Sequence, residues 1–405
     1  MRETARGLLA TNASFRRYWI ARTVSIAGSQ LARVALTVFV YQLGGGAAGV
    51  STLLLAFTLP RLLGPLAGTI ADRLDNKRLM VGCDVAQALL FAVLAWVRWW
   101  PGVIVLVIVT TACSTLYLPA GRGSVPALAG RENLARANAL LAIGSNTAMA
   151  VGPAVAGVML IFGSPRPALL VNAASFVFSA VLTLGITGLR PGAAATGDSG
   201  PVTVFGAARA GLAVAWRNRV ARTIAIMLLP SVGFASLDNA ALIFLVRQGF
   251  HASAAAYGWV VTAFSLGMVA VPVALAAAHR QLPSRLLFYG GQCLYGLATL
   301  VTGLSPGLGP GTGAQVVAGG ANGMETVGLD TLLAESAPDK QLGVVFGAVY
   351  TTPFAGQLVA YLAATPLIVA FGARTTFVIS GAGVLLTLAV TMLLLPARVK
   401  TDQGQ

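Results

Sequence analysis

The chain has 405 residues, enough for two or three soluble domains, but its composition excludes a soluble protein. Hydrophobic residues make up 57% of the sequence and charged residues only 10%, and the mean hydropathy is +0.81. Soluble domains carry about 25% charged residues, so this chain lacks the polar surface that water requires. The 27 Lys and Arg against 12 Asp and Glu give a net charge of +15. The positions of these charges decide whether they indicate nucleic-acid binding.

Long apolar runs follow one another along the chain, each close to the roughly 20 residues with which an α-helix crosses a bilayer. The first run continues to Tyr41 with no short apolar core before a cleavage site, so we expect a retained span rather than a signal peptide. The runs predict an all-α polytopic membrane protein with twelve transmembrane helices, numbered here as spans 1 to 12: 18–42, 50–71, 78–98, 102–120, 136–162, 168–189, 222–246, 256–278, 284–304, 309–333, 342–366 and 375–396.

The two halves of the chain resemble each other. LARVALTVFVYQLG in span 1 matches LDNAALIFLVRQGF in span 7 at an offset of 206 residues. A repeat of six spans is typical of transporters built from two similar bundles around a midplane site. We therefore predict two pseudo-symmetric six-helix bundles at 1–189 and 222–405, joined by a cytoplasmic linker with an interfacial helix at 190–221.

Most of the basic residues fall on one predicted side of the membrane. Of the 27 Lys and Arg, 20 lie in the termini and in the loops that follow even-numbered spans. Only 4 lie in the loops that follow odd-numbered spans. The positive-inside rule then predicts cytoplasmic termini and a multi-pass protein of the cell inner membrane. The charge is spread over many loops, so we expect contact with lipid headgroups and no nucleic-acid partner.

Four ionisable residues lie deep inside predicted spans, where charge is costly and by default indicates function. They are Arg33, Arg61, Asp238 and Glu325. Arg22 lies only about one turn inside the basic side and is expected to snorkel toward the headgroups. The alternative to function is a structural role, in which the four charges pair with one another and hold the halves together.

Two motifs resemble those of the major facilitator superfamily. GTIADRLDNKRLM, between spans 2 and 3, is similar to the superfamily's signature loop, and AVGPAVAGVML in span 5 is similar to the glycine–proline motif of its exporters. The chain as a whole resembles the macrolide-efflux and siderophore-exporter subgroup, which is drug:proton antiporter-like. The resemblance implies that the loop is a conformational latch, in which Gly68 permits a close helix approach. The latch consists of Gly68, Asp72, Arg73, Lys77 and Arg78, with Arg122 as a partner. The motif of span 5 consists of Gly152, Pro153 and Gly157.

The same resemblance implies a central cavity lined by spans 1, 4, 7 and 10, with spans 3, 6, 9 and 12 on the outside. The deep charges then fall in inner or flanking spans and in none of the outer four. The repeat predicts that Arg33 faces Asp238, and that Glu325 faces Tyr117. The expected cavity residues are Gln30, Arg33, Arg61, Tyr117, Asn146, Asp238, Glu325, Tyr350 and Gln357.

The leading hypothesis is a secondary active transporter that exports a small amphipathic molecule by alternating access, with Asp238 and Glu325 coupling export to protons. Import of an anionic solute bound by Arg33 and Arg61, or lipid flipping, is the alternative. The sequence shows no catalytic constellation and no metal-ligating cluster, which argues against an enzyme. We expect no cofactor beyond a proton gradient, and as partners a small-molecule substrate and membrane lipids, with the chain acting as a monomer.

Overall fold

The computed structural model describes residues 2–187, 219–277, 282–336 and 339–394, and these residues are helical almost throughout. A short helix, Arg2–Thr11, precedes the first span. The spans follow as Ala13–Gln42, Gly46–Arg73, Asn76–Leu94, Trp100–Ala129, Leu134–Leu160, Arg166–Leu184, Arg219–Phe244, Ala254–Ala277, Ser284–Leu304, Leu308–Ser336 and, for spans 11 and 12 together, Asp339–Leu394. The predicted interfacial helix of the linker lies outside the described residues.

The predicted fold class is confirmed, and the polarity of the helices varies in an informative way. By length and apolarity alone, eight helical stretches of the described residues qualify as membrane spans, and one of them, Thr352–Leu393, covers two predicted spans. Spans 3, 9 and 10 fall outside this group, although they contain 19, 21 and 29 residues. Asp84, Gln292 and Glu325, described below, lie on these three helices, one on each.

Three helices depart from the predicted bounds for identifiable reasons. Span 2 is interrupted by a 3-10 segment, Leu59–Leu63, where Pro60 lacks the amide hydrogen that an α-helix needs. Span 4 runs about two turns further than predicted, to Ala129. Span 11 runs further than predicted, to a break at Gly372, where span 12 begins; the φ of 78° and ψ of 167° at Gly372 are non-helical, and this positive φ favours glycine.

The two halves touch at the end of the molecule opposite the termini. The rings of Tyr41 in span 1 and Phe244 in span 7 pack edge to face at 5.5 Å. The hydroxyl of Thr365 in span 11 lies 3.4 Å from the carbonyl oxygen of Ala47 in span 2. The largest apolar cluster takes in this end and joins residues of both halves, from Leu31 to Phe377.

At the other end, which carries the termini and most of the basic residues, the halves are separate. One apolar cluster there contains residues of the first half only, between Leu8 and Ile186. A second contains residues of the second half only, between Ile224 and Leu388. Within the described residues the molecule is therefore closed at the end opposite the termini and open at the basic end.

Candidate functional site

Asp238, in span 7, is buried and bound to span 9. Its side chain is 7% exposed, and the hydroxyl of Tyr295 donates a hydrogen bond of 2.7 Å to its Oδ2. Tyr295 is itself buried. A carboxylate in the membrane interior is thus held by a neutral donor rather than by a cation.

Glu325, in span 10, is held in the same way from the same helix. The amide nitrogen of Gln292 in span 9 donates to Oε1 of Glu325 at 2.9 Å. The two helices touch here, because a Cβ at Gly291 would lie 2.7 Å from the backbone nitrogen of Glu325. Gln292 and Tyr295 are three residues apart and share one face of span 9. We call Asp238, Gln292, Tyr295 and Glu325 the span 9 cluster.

The predicted juxtaposition of Arg33 and Asp238 is not a direct pair. No salt bridge joins them, and the guanidinium of Arg33 instead lies 4.9 Å above the ring of Phe57 in span 2. Tyr361 in span 11 lies within electrostatic range of both Arg33 and Asp238. The offset of 206 aligned Arg33 with Asn239, beside Asp238, but gave no information about a side chain from a third helix.

Arg61 lies in the 3-10 segment of span 2, with an exposed side chain. It is within electrostatic range of Arg33 and of Tyr361. Tyr257 of span 8 is also close to Arg33. Two cations therefore share one region between the halves, near two tyrosines that supply hydroxyl groups and ring faces.

Asp84 is a buried acid that the sequence analysis missed, and it makes the expected absence of deep charge in the outer spans wrong. It lies in span 3, is 1% exposed, and accepts a hydrogen bond of 2.7 Å from the hydroxyl of Ser179 in span 6. Asp84 lies six residues inside the predicted span 3, and this position already indicated a carboxylate inside the membrane. Its partner is 95 residues away, and no pattern in the sequence links the two.

Tyr117, in span 4, does not face Glu325 as predicted. Its ring lies under the guanidinium of Arg22 at 5.2 Å, and it is within electrostatic range of Asp84. The hydroxyl is buried and approaches Ser179 without a hydrogen bond of normal geometry. Tyr117 therefore belongs to a first-half group with Arg22 and Asp84. The expected snorkelling of Arg22 is replaced by stacking on this ring.

The other four predicted cavity residues differ in their exposure. Gln30 and Gln357 are partly buried, and Asn146 is exposed. The side chain of Tyr350 lies outside the described residues. Gln30, Asn146 and Gln357 make no hydrogen bond to Asp238, Arg33 or Asp84 among the described residues.

The predicted latch lies at the open, basic end. A Cβ at Gly68 would meet none of the described atoms within 4 Å, so the close approach expected there is not made in this conformation and stays a prediction. Arg73 and Arg78 are exposed, and the side chain of Asp72 lies outside the described residues. A latch that joins the halves has no closed interface to act on when the halves are apart.

Two basic residues at this end bind within the first half instead. Lys77 donates to the carbonyl oxygen of Ile186 at 2.8 Å, and Arg17 donates to that of Gly185. Both carbonyls follow the last turn of span 6, where positive charge is favourable. Arg122, the expected latch partner, is exposed and lines a cavity described below.

The glycine–proline motif of span 5 lies at two close helix contacts. A Cβ at Gly152 would lie 2.6 Å from the carbonyl oxygen of Ala27 in span 1. Gly157 meets the other half, since a Cβ at Gly258 of span 8 would lie 2.5 Å from the Gly157 Cα. Pro153 lies buried inside the helix between them. The motif therefore permits the contact that closes the end opposite the termini.

Metal binding has no support in the described part of the chain, where no three His, Cys, Asp or Glu side chains form a group that could hold an ion.

The family model described as transmembrane secretion effector matches residues 9–404. The chain is 25% identical over 381 residues to the uncharacterized MFS-type transporter YfiS of Bacillus subtilis, covering 92% of this chain and 91% of that protein. It is 28% identical over 382 residues to the multidrug efflux pump Tap of Mycolicibacterium fortuitum, covering 91% and 90%.

Solved transporter structures share the fold at low sequence identity. The crystal structure of the nucleoside transporter NupG superposes with a TM-score of 0.73 at 13% identity, covering 94% of this chain and 98% of that one. An inward-facing, unoccupied bacterial homologue of the lysosomal transporter Spinster gives 0.69 at 13% identity, covering 94% and 96%.

Proposed function

The chain belongs to the transmembrane secretion effector family of the major facilitator superfamily, and we propose from this premise that it exports a small amphipathic molecule in exchange for protons. The family and the fold are those of transporters and not of enzymes. The relative from Mycolicibacterium fortuitum is named as a multidrug efflux pump, which favours export over import.

The span 9 cluster carries the proposal of proton coupling. A buried carboxylate that has only a neutral donor keeps a charge that the membrane interior disfavours, and a proton removes that charge. Asp238, which is buried, and Glu325, which is partly buried, are both held in this way, and they reach the same helix from spans 7 and 10. Protonation of either acid changes its hydrogen bond to span 9, and this links proton uptake to the packing of the second half.

The open and closed ends support alternating access. With the basic end in the cytoplasm of the cell inner membrane, as the positive-inside rule favours, the conformation is open to the cytoplasm and receives substrate from that side. Export then requires the contact between Gly157 and Gly258 to separate while the basic ends close. The signature loop, with Asp72 and its basic neighbours, would join the halves in that second state.

Transport assays in inverted membrane vesicles test the proposal. Vesicles with an acidified lumen are given ethidium, anilinonaphthalene sulfonate or the neutral phenylnaphthylamine, which are a cation, an anion and a neutral probe. We expect gradient-driven uptake of at least one probe by the native chain, and loss of that uptake in Asp238→Asn and Glu325→Gln.

The matched control is Glu132→Gln, which removes an exposed carboxylate outside the spans and should leave uptake unchanged. Native rates in the double variant Asp238→Asn, Glu325→Gln would overturn the coupling assignment. Lack of uptake of all three probes by the native chain would count against the export of small amphipathic molecules.

One observation favours a second candidate, the import of an anionic solute. Arg33 and Arg61 lie within electrostatic range of each other between the halves, an arrangement that a bound anion would stabilise. Uptake of a panel of organic anions from the outside into right-side-out vesicles separates the two, because an importer accumulates such a solute in the lumen and loses this uptake in Arg33→Gln, whereas an exporter moves it outward.

A further inference from the structure

A cavity of about 420 Å³ opens in the first half, near its basic end. It lies between the beginning of span 1, the end of span 4 and the beginning of span 5. Its walls combine apolar side chains with polar groups, a mixture suited to an amphipathic molecule. The apolar part comes from Leu118, Val125, Leu141 and Ala142.

The charged groups in the walls are both arginines, Arg22 and Arg122, and none of the lining residues is acidic. The stacking of Arg22 on Tyr117 fixes its guanidinium at one wall. Asp84 is within electrostatic range of Arg22 from behind this wall, but it is 1% exposed and already accepts the Ser179 hydroxyl. The surface that a ligand meets is therefore cationic.

Several neutral hydrogen-bonding groups complete the cavity. The ring of Tyr117 lines the cavity, while its buried hydroxyl approaches Ser179 behind the wall. Tyr18, Asn138 and Ser145 also line the cavity. Together with two guanidinium groups, these donors match the oxygen atoms of a carboxylate, sulfonate or phosphate.

The acids of the membrane interior do not add negative charge to this cavity. Asp238 and Glu325 are bound to span 9 in the other half and do not line the cavity. Arg33 and Arg61 add two further cations to the first half. A cationic substrate would thus meet repulsion along the path, whereas an anionic one would be attracted.

We propose that the cavity between spans 1, 4 and 5 binds the acid group of an amphipathic anion between Arg22 and Arg122, with the apolar body against the walls of spans 4 and 5. This inference rests on the proposed function, since it names the charge of the substrate that the transporter accepts. The anion is either a soluble molecule or the headgroup of an anionic lipid.

Binding to the purified chain in phosphatidylcholine nanodiscs tests the site. Anilinonaphthalene sulfonate and phenylnaphthylamine share one aromatic body and differ in the acid group, so the pair isolates the contribution of the charge. We expect saturable sulfonate binding at least tenfold tighter than that of the neutral probe, weakened at least tenfold in the double variant Arg22→Gln, Arg122→Gln.

The matched control is Arg98→Gln, which removes an exposed arginine at the opposite end of the same half and should bind as the native chain does. A second arm adds phosphatidylglycerol to the nanodiscs. Competition by this lipid identifies a lipid headgroup as the occupant, and undiminished sulfonate binding identifies a soluble anion.

Equal sulfonate affinity of the native chain and the double arginine variant would overturn the inference, as would tighter binding of the neutral probe. The transport assay and the binding assay can each fail while the other succeeds. Arginine-dependent binding without gradient-driven uptake would reject the proposed export and retain the site, and proton-driven uptake without such binding would do the reverse.

Discussion

At the scale of single residues, tyrosines connect the ionisable groups of the interior. Tyr295 binds Asp238, Tyr361 is within electrostatic range of Asp238 and Arg33, and Tyr117 lies under Arg22. A phenol donates a hydrogen bond without carrying charge, so it holds a buried carboxylate and still allows the acid to take up a proton. Each of these contacts joins two different spans, and a change in one side chain is therefore transmitted to a second helix.

The Tyr295–Asp238 hydrogen bond is expected to be needed for coupling. Tyr295→Phe keeps the ring and removes the donor, and a hydrogen bond to a charged group contributes about 1.5–3 kcal/mol. We predict that gradient-driven uptake in vesicles falls by about tenfold or more. Tyr289→Phe, which alters a neighbouring tyrosine of span 9 outside the cluster, is the control. Equal loss in both variants would attribute the effect to general disruption of span 9.

The Ser179–Asp84 hydrogen bond is expected to stabilise the packing of span 3 on span 6. Asp84→Ala leaves the Ser179 hydroxyl buried without its acceptor, at a cost of about 1–3 kcal/mol. Thermal unfolding in detergent should show a lowered Tm. In the double variant with Ser179→Ala, the two losses should be less than additive, because both changes remove the same bond. Strict additivity would show that the two side chains do not interact.

At the scale of helices, span 9 is the element that organises the second half. It holds acids from spans 7 and 10 and touches the backbone of span 10 at Gly291. The superfamily resemblance implied an outer position for this helix and directed attention to spans 1, 4, 7 and 10. An outer helix nevertheless reaches the buried acids, because its polar face points inward.

The contact between spans 5 and 8 is expected to control which end is open. In Gly258→Val the added side chain has no room, since even a Cβ would lie 2.5 Å from the Gly157 Cα. We predict that spans 5 and 8 separate and that the molecule shifts toward a state open at the end opposite the termini. Spin labels on spans 5 and 8 would report this as a longer distance. Gly313→Val, where a Cβ meets none of the described atoms within 4 Å, should keep the native distance. An unchanged distance in Gly258→Val would contradict the role of this contact.

The sequence predicted the helices well and their polar contacts poorly, and the reason is physical. Apolar length and the Lys and Arg distribution are properties of single segments, so the spans and the depth of Asp238 and Glu325 could be read directly. The partners of these acids are set by tertiary packing. Tyr295 is 57 residues from Asp238, and Gln292 is 33 residues from Glu325. The internal repeat suggested Arg33 and Tyr117 as partners, because it aligns backbones across the halves and not side chains within one half.

At the scale of the whole molecule, the two halves meet at one end and separate at the other. The span 9 cluster lies within the second half, while the cationic cavity lies within the first. Proton and substrate would thus act on different halves, and their exchange would be coupled through the movement of the halves against each other rather than by competition for one site.

Proton movement by the purified chain in proteoliposomes tests the central claim most directly. A luminal pH indicator records protons while a transported probe is supplied on one side. We predict proton movement opposite to the probe, dependent on the probe, and abolished in the double variant Asp238→Asn, Glu325→Gln but not in Glu132→Gln. Probe-dependent proton movement that persists at the native rate without both acids would contradict the account.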